Sequence, residues 1–327
     1  MRAGSLGASF ALACLALAAP ALQGGQDLQR PAASAPAPRQ SDNGLPPNIE
    51  LLTRMAAAGN PAAQNNLGFY YAFGKGVPQS YQEALKWLTI AASQGFAPAE
   101  VNLAVFYEKG WGGKVGMEQA MRWYRAAAEQ GNDLAECKLG NLYHNGRGIS
   151  RDDAVAAEWY RRAAEQGNAA AENNLGAMYQ HGMGVTRDYA QALDWYQKAA
   201  AQGLAEAESN VGVIYEDGLG VEKDYQKAAA LYRESATHGA IRGEFNLAVL
   251  YSSGRGVPLD YVSAYMWFSR AASAGDSLAT RNLKNLETVM TPHQKEQAQE
   301  RLSDGQDASL SETRPHSLFD ADMMSQR

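Results

Sequence analysis

The sequence predicts an all-α protein: a right-handed α-solenoid of about six helix-turn-helix repeats of 36 residues, with capping helices at both ends. Three residue types recur with this period and carry the prediction. An aliphatic residue stands at Leu67, Leu103, Leu139, Leu175, Val211, Leu247 and Leu283. Tyrosine stands at Tyr71, Tyr107, Tyr143, Tyr179, Tyr215 and Tyr251. Glycine stands at Gly74, Gly110, Gly146, Gly182, Gly218 and Gly254.

The first helix of each repeat, called helix A, contains the aliphatic and tyrosine positions. In the first repeat Ala63, Leu67 and Tyr71 are four residues apart, so they lie on one face of a helix. The helix is expected to end at Gly74, because a residue without a Cβ readily takes the left-handed conformation that closes many helices. A second glycine, Gly76, follows in the turn.

The residues at equivalent positions of successive repeats are called a column. The second helix of each repeat, called helix B, is predicted to follow a column in which most residues can cap a helix. The column consists of Ser80, Gly116, Asp152, Asp188, Asp224 and Asp260. An apolar stripe at helical spacing follows, consisting in the first repeat of Ala84, Trp87, Leu88, Ala91 and Ala92. The second repeat departs from the pattern at Gly113, Gly116 and Met117, which leaves the start of its helix B open.

A single helix pair cannot bury its apolar face, so the repeats are expected to stack and to be sealed at both ends. The predicted solenoid covers residues 48–290, and it opens with a lone helix B and closes with a seventh helix A. A C-terminal capping helix is predicted over residues 291–303, because Thr291 and Pro292 suit the N-cap and the first helical position.

The two ends of the chain have different compositions. Residues 1–21 have the charged start, apolar stretch and small residues of a secretory signal peptide, with cleavage after Ala18 or Ala21; an uncleaved membrane anchor is the alternative. Residues 22–47 are predicted to be a disordered linker rich in Pro and Ala, and residues 304–327 a disordered tail. A periplasmic or secreted location follows.

Composition and motif content argue against several functions. The chain has 29 Lys and Arg against 35 Asp and Glu, without a basic stripe, so nucleic acid is not expected as a partner. The five histidines have no metal-binding spacing, and the sequence contains no phosphate loop or catalytic triad. We therefore expect no catalysis, metal or cofactor, and a protein or peptide as the partner, either soluble or associated with a membrane.

Two columns of helix A are candidates for binding that partner. The first is almost entirely asparagine: Asn66, Asn102, Lys138, Asn174, Asn210, Asn246 and Asn282. The second, expected to point away from the core, is mostly apolar: Phe69, Val105, Asn141, Ala177, Val213 and Val249. In one interpretation the amides hold the backbone of an extended peptide and the apolar column takes its side chains. In the other, the asparagines bond to an adjacent helix and lock repeat to repeat.

A third column is acidic and falls in the first turn of helix A. It consists of Glu100, Glu136, Glu172, Glu208 and Glu244. Negative charge at this position complements the helix dipole, so a structural role is expected.

The pattern of the repeats resembles the Sel-1-like repeat family, a relative of the tetratricopeptide repeats. In the fourth repeat it reads Ala171-Glu172-Asn173-Asn174-Leu175-Gly176, Tyr179, Gly182, Gly184, Asp188, Ala192, Trp195-Tyr196 and Ala199-Ala200. The resemblance covers roughly residues 48–303.

The resemblance implies a non-catalytic scaffold or adaptor for protein–protein interaction in the bacterial cell envelope, with the partner on the concave helix-A surface. The alternative is a periplasmic regulator that restrains a membrane sensor or the envelope or exopolysaccharide machinery. Some secreted relatives carry a disulfide in each repeat and bind penicillin-like compounds, which raises a third alternative, a cell-wall or β-lactam hydrolase. This chain has 2 cysteines and so lacks the pattern of that subgroup.

Overall fold

The computed structural model describes residues 47–303, which form fifteen α-helices. The first eight are α1 (Pro47–Ala57), α2 (Pro61–Phe73), α3 (Tyr81–Ser93), α4 (Ala97–Lys109), α5 (Met117–Glu129), α6 (Asp133–Asn145), α7 (Asp153–Glu165) and α8 (Ala169–His181). The others are α9 (Tyr189–Ala201), α10 (Ala205–Asp217), α11 (Tyr225–Thr237), α12 (Ile241–Ser253), α13 (Tyr261–Ser273), α14 (Ser277–Val289) and α15 (Pro292–Ser303). The predicted signal peptide, the linker up to residue 46 and the tail lie outside the described residues.

Helices α2 to α13 form six consecutive pairs, so the all-α architecture of helix-turn-helix repeats is confirmed. The even-numbered helices α2 to α12 are the helices A, and their odd-numbered successors are the helices B. At the ends, α1 packs on α2, α14 packs on α13, and α15 also packs on α13. Contacts divide the described residues into two compact units, residues 47–166 and residues 167–303.

Each turn between helix A and helix B is built the same way in all six repeats. The residue that ends helix A is a left-handed glycine, such as Gly74 with a φ of 65°. The backbone N–H of the residue before helix B then donates to the carbonyl of the helix-A tyrosine, as Ser80 does to Tyr71 at 2.8 Å. The glycine column therefore reverses the chain, and this backbone hydrogen bond closes the turn.

The second repeat keeps this geometry although its sequence departs from the pattern. Helix α5 begins at Met117, in register with the other helices B, and Gly116 provides no side-chain cap. The backbone N–H of Gly116 still donates to the carbonyl of Tyr107, at 2.9 Å. Because the backbone bond and the buried stripe of α5 are retained, the missing cap does not move the helix start.

The predicted core columns are buried. The aliphatic residues from Leu67 to Leu247 are at most 1% exposed, and Leu283 in the last helix A is half-buried. Four tyrosines of helix B, Tyr124, Tyr160, Tyr196 and Tyr232, are also fully buried.

Tyrosine rings pack directly on glycines of helix A. A Cβ placed on Gly140 would lie 2.6 Å from the ring of Tyr160, so an alanine there would have to displace the ring. The hydroxyl of each of these tyrosines donates to a side chain of helix A, as Tyr160 does to Asn141 Oδ1 at 2.7 Å. The burial of the ring is thereby combined with a satisfied hydroxyl group.

Candidate functional site

The acidic column at the start of helix A is buried and hydrogen-bonded within each repeat. Gln130 donates to Glu100 at 2.8 Å, Gln166 to Glu136 at 2.7 Å and Gln202 to Glu172 at 2.8 Å. Each bond joins the first turn of helix A to the residue that follows helix B. The glutamates are thus structural links, and the recurring Gln-Gly dipeptide after helix B was the available sequence signal for them.

Burial raises the pKa of Glu100, Glu136 and Glu172 above the ordinary value. The effect is greatest at Glu208, which is 1% exposed and whose pKa burial raises to about 7. In this repeat His238 replaces the glutamine, and its Nδ1 lies 2.9 Å from Glu208 Oε1.

Two members of the asparagine column bond to the preceding repeat. The Nδ2 of Asn102 donates to Oδ1 of Asn65 at 2.8 Å, and the Nδ2 of Asn210 donates to Oδ1 of Asn173 at 2.8 Å. Each acceptor lies 37 residues before its donor, so the bond appears where that earlier position is also an asparagine. This geometry favours the locking interpretation at Asn102 and Asn210, and peptide binding by the column stays a prediction.

The other members of the column differ in burial. Asn174 is 2% exposed and Lys138 is 8% exposed, whereas Asn66, Asn246 and Asn282 are half-buried. The side chains of the column therefore range from buried to half-buried, and none of them is exposed.

The apolar column is more sheltered than a row facing solvent. Val105 and Ala177 are buried, and Phe69, Val213 and Val249 are half-buried. In the first unit, Phe69 and Val105 line a cavity of about 400 Å³.

This cavity, called the α2–α6 cavity, is lined by residues of three successive helices A and one turn. They are Phe69, Phe73, Val105, Glu108, Lys109, Trp111 and Lys138. The structure thus brings together Phe69, Val105 and Lys138, which the sequence places in candidate columns. The contributions of Trp111 and Glu108 are not predictable from the repeat pattern, because the residues at these positions vary between repeats.

The lining of the α2–α6 cavity contains both acidic and basic side chains, and its carboxylate already has hydrogen-bond partners. Glu108 accepts hydrogen bonds from the Tyr124 hydroxyl at 2.8 Å and from Arg147 at 2.9 Å. Among residues 47–303, no ion pair holds the ammonium groups of Lys109 and Lys138. Burial lowers the pKa of Lys138, although the negative charge of Glu108 partly opposes that shift.

A second cavity, of about 520 Å³, lies in the other unit beside α12, α13 and α15. Its lining includes Ile241, the ion pair of Glu244 with Arg270, and Leu302. It contains none of the predicted binding residues.

Between residues 47 and 303, no group of three His, Cys, Asp or Glu side chains is placed to hold a metal ion. Over the same range, no helix combines the length and the apolar character that a transmembrane span requires.

The paired helices, the glycine turns and the links within each pair define a helical repeat protein related to the tetratricopeptide class. The model of the Sel1 repeat matches residues 61–96, 97–132, 133–168, 169–204, 205–239 and 241–276. The chain therefore belongs to the Sel1 repeat family.

Two solved structures illustrate the similarity. One is a protective antigen present in uropathogenic Escherichia coli strains, with 36% identity and a TM-score of 0.68 over 79% of this chain and 56% of that one. The chain thus corresponds to little more than half of that relative. The other is a Sel1 repeat protein from Oxalobacter formigenes, with 34% identity and a TM-score of 0.65 over 72% of this chain and 68% of that one. No curated protein matches the chain.

Proposed function

We propose that this protein is a non-catalytic scaffold of the bacterial cell envelope that binds a protein or peptide partner on its helix-A surface. The observation that carries the proposal is the α2–α6 cavity, where Phe69, Val105 and Lys138 meet in a concave, mainly apolar site with a few charged groups. Sites of this composition are typical of ligand recognition. The envelope location rests on the predicted signal peptide.

The proposed binding surface combines the two helix-A columns. Its residues are Asn66, Phe69, Asn102, Val105, Lys138, Asn174, Asn210, Val213, Asn246 and Val249. Half-buried Phe69, Val213 and Val249 supply apolar contact area, while the amides of Asn66 and Asn246 offer a donor and an acceptor to a peptide backbone.

The test is affinity capture from an envelope extract, followed by mass spectrometry. Replacing Phe69→Glu or Val249→Glu is expected to abolish capture of the partner, because a carboxylate in an apolar contact must be desolvated. Both side chains are half-buried, so the thermal midpoint is expected to change little. The matched control is Thr89→Glu, at an exposed position of helix B in α3.

Three outcomes decide the proposal. Capture by the wild-type and control proteins, with loss in both helix-A variants, supports it. If a variant loses capture and thermal stability together, these residues stabilise the fold and do not define the binding site. Turnover of peptidoglycan or a β-lactam by the purified chain would contradict the non-catalytic scaffold, and recovery of a membrane sensor as the partner would instead point to the regulator.

A further inference from the structure

The lining of the α2–α6 cavity includes an aromatic cluster in which Phe73 stands at a position that is polar in every other repeat. The rings of Phe69 and Phe73 lie 4.7 Å apart, and those of Phe73 and Trp111 lie 6.3 Å apart. Phe73 is 44% exposed. The same position in the other repeats is Lys109, Asn145, His181, Asp217 and Ser253. Since those repeats fold with polar residues there, the exposed ring of Phe73 is available for contact with another molecule.

The lining of the α2–α6 cavity also carries a positive charge that departs from the repeat pattern. Lys138 takes the place of an asparagine in its column and is 8% exposed. Glu108, the acidic residue of the cavity, is held by Arg147 and Tyr124. Among the described residues the ammonium of Lys138 forms no ion pair, so an anion bound beside it would offset part of the cost of its burial.

We propose that the α2–α6 cavity binds an extended internal segment of a partner protein that presents a large apolar side chain next to an Asp or Glu side chain. The apolar side chain packs on Phe69, Phe73 and Trp111, and the carboxylate meets Lys138 and Lys109. This inference deepens the proposed function and rests on it.

The surroundings of the cavity favour an internal segment over a chain end. Asn66 precedes Phe69 by three residues on α2, so the two side chains are neighbours on the helix surface. Asn66 is half-buried, and its amide can bond to the backbone of a segment that continues beyond the cavity. A chain terminus bound at Lys138 would not need this extension.

The test uses fluorescence polarisation with the full chain and a labelled peptide blocked at both ends, acetyl-Gly-Ser-Phe-Asp-Glu-Ser-Gly-amide. Matched probes replace Asp and Glu by Asn and Gln, or Phe by Ala. We expect each of these probes to bind at least tenfold more weakly than the parent peptide. A third probe has the acidic residues replaced and a free C-terminal carboxylate, and it is expected to be as weak as its blocked form.

The decisive variant is Lys138→Met, which keeps an unbranched side chain of similar length and removes its charge. It is expected to weaken the acidic probe tenfold and to leave the Asn/Gln probe unchanged. Its thermal midpoint should not fall, since the substitution breaks no ion pair among the described residues and removes the cost of burying the ammonium. Lys86→Met is the control, because Lys86 is exposed on α3 and pairs with Glu83.

Several results would overturn the inference. Equal binding of the acidic and Asn/Gln probes would show that the cavity does not recognise the carboxylate. A preference for the acidic probe that is retained in Lys138→Met would show that Lys138 does not bind it. Stronger binding of the free-carboxylate probe would assign the cavity to chain ends. The acidic probe could also bind to the Phe319→Ala variant but not to the wild type. That result would show that the cavity binds the chain's own Leu318-Phe319-Asp320, which has the same chemistry.

The failure of this inference is distinguishable from failure of the proposed function. If no probe binds, but Val249→Glu still loses the captured partner without loss of stability, the scaffold function stands and the carboxylate specificity of the cavity falls. If neither the probes nor the extract yields a specific partner, both fall.

Discussion

At the scale of single residues, Glu208 shows how burial changes the protonation of a side chain. It is 1% exposed, and burial raises its pKa from 4.5 to about 7, with further contributions from Glu234 and Glu206. The contact with His238 opposes this shift without cancelling it.

We therefore expect stability to depend on pH between about 4.5 and 7. In this range folded Glu208 still holds a proton that the unfolded chain has released, so the free energy of unfolding falls as the pH rises. The Glu208→Gln variant, which cannot titrate, should show a smaller fall. Denaturant unfolding at a series of pH values measures the difference.

The control for this experiment is Glu222→Gln, at an exposed position of the same unit. It should keep the pH dependence of the wild type. Identical pH profiles for Glu208→Gln and the wild type would show that Glu208 does not carry the effect.

Residue identities in the core were predictable because the same demand recurs in every repeat. Leu67 and its equivalents occupy the same position in the core of each repeat, so the sequence shows the same requirement seven times. The α2–α6 cavity depends on Trp111 and Glu108, and the residues at both of these positions differ from repeat to repeat. Periodicity cannot reveal residues whose role is not repeated.

At the scale of helices, members of the asparagine column differ in burial and in the contacts that they make. Asn102 is 2% exposed and bonds to the buried Asn65 of α2. Asn246 is half-buried, and the position 37 residues before it is Ser209, not an asparagine.

We predict that Asn102→Ala lowers the free energy of unfolding by about 1–3 kcal/mol, because it leaves the buried Asn65 carbonyl without its donor. Asn246→Ala should cost less than about 0.5 kcal/mol, as is usual away from such networks. It should instead weaken capture of the partner. Denaturant unfolding and affinity capture of both variants check the prediction. An equal loss of stability in the two variants would contradict it.

Helix boundaries were also predictable, for a local reason. The turn glycines and the capping aspartates act within a few residues of where they stand, so the sequence shows where each helix ends and begins. The side-chain pattern does not show where α5 begins, because the hydrogen bond from the N–H of Gly116 to the carbonyl of Tyr107 uses backbone atoms only.

At the scale of the molecule, each helix pair depends on a neighbour to cover its apolar face. At the C-terminal end this is done by α15, which packs on α13 and buries Ala298 completely. Leu286 and Met290 belong to the same hydrophobic cluster. Stacking of this kind was predictable from the repeat alone, since one hairpin cannot form a core.

We expect a chain that ends after Met290 to have a lower thermal midpoint and to self-associate, because the face of α13 loses its cover. A chain that ends after Ser303 removes only the predicted tail and should keep the midpoint of the wild type. Thermal unfolding and light scattering of the two truncations provide the measurement. If the shorter chain were as stable and monomeric as the longer one, α15 would not be a cap.

Every helix from α2 to α14 contains 13 residues, and the turns between them keep the same lengths through most of the chain. One turn can therefore replace another without changing the orientation of the next helix about its own axis. A chain of this kind can gain, lose or exchange whole helix pairs by recombination. Inserting a single residue into a helix would instead rotate the rest of that helix by about 100° relative to its neighbours.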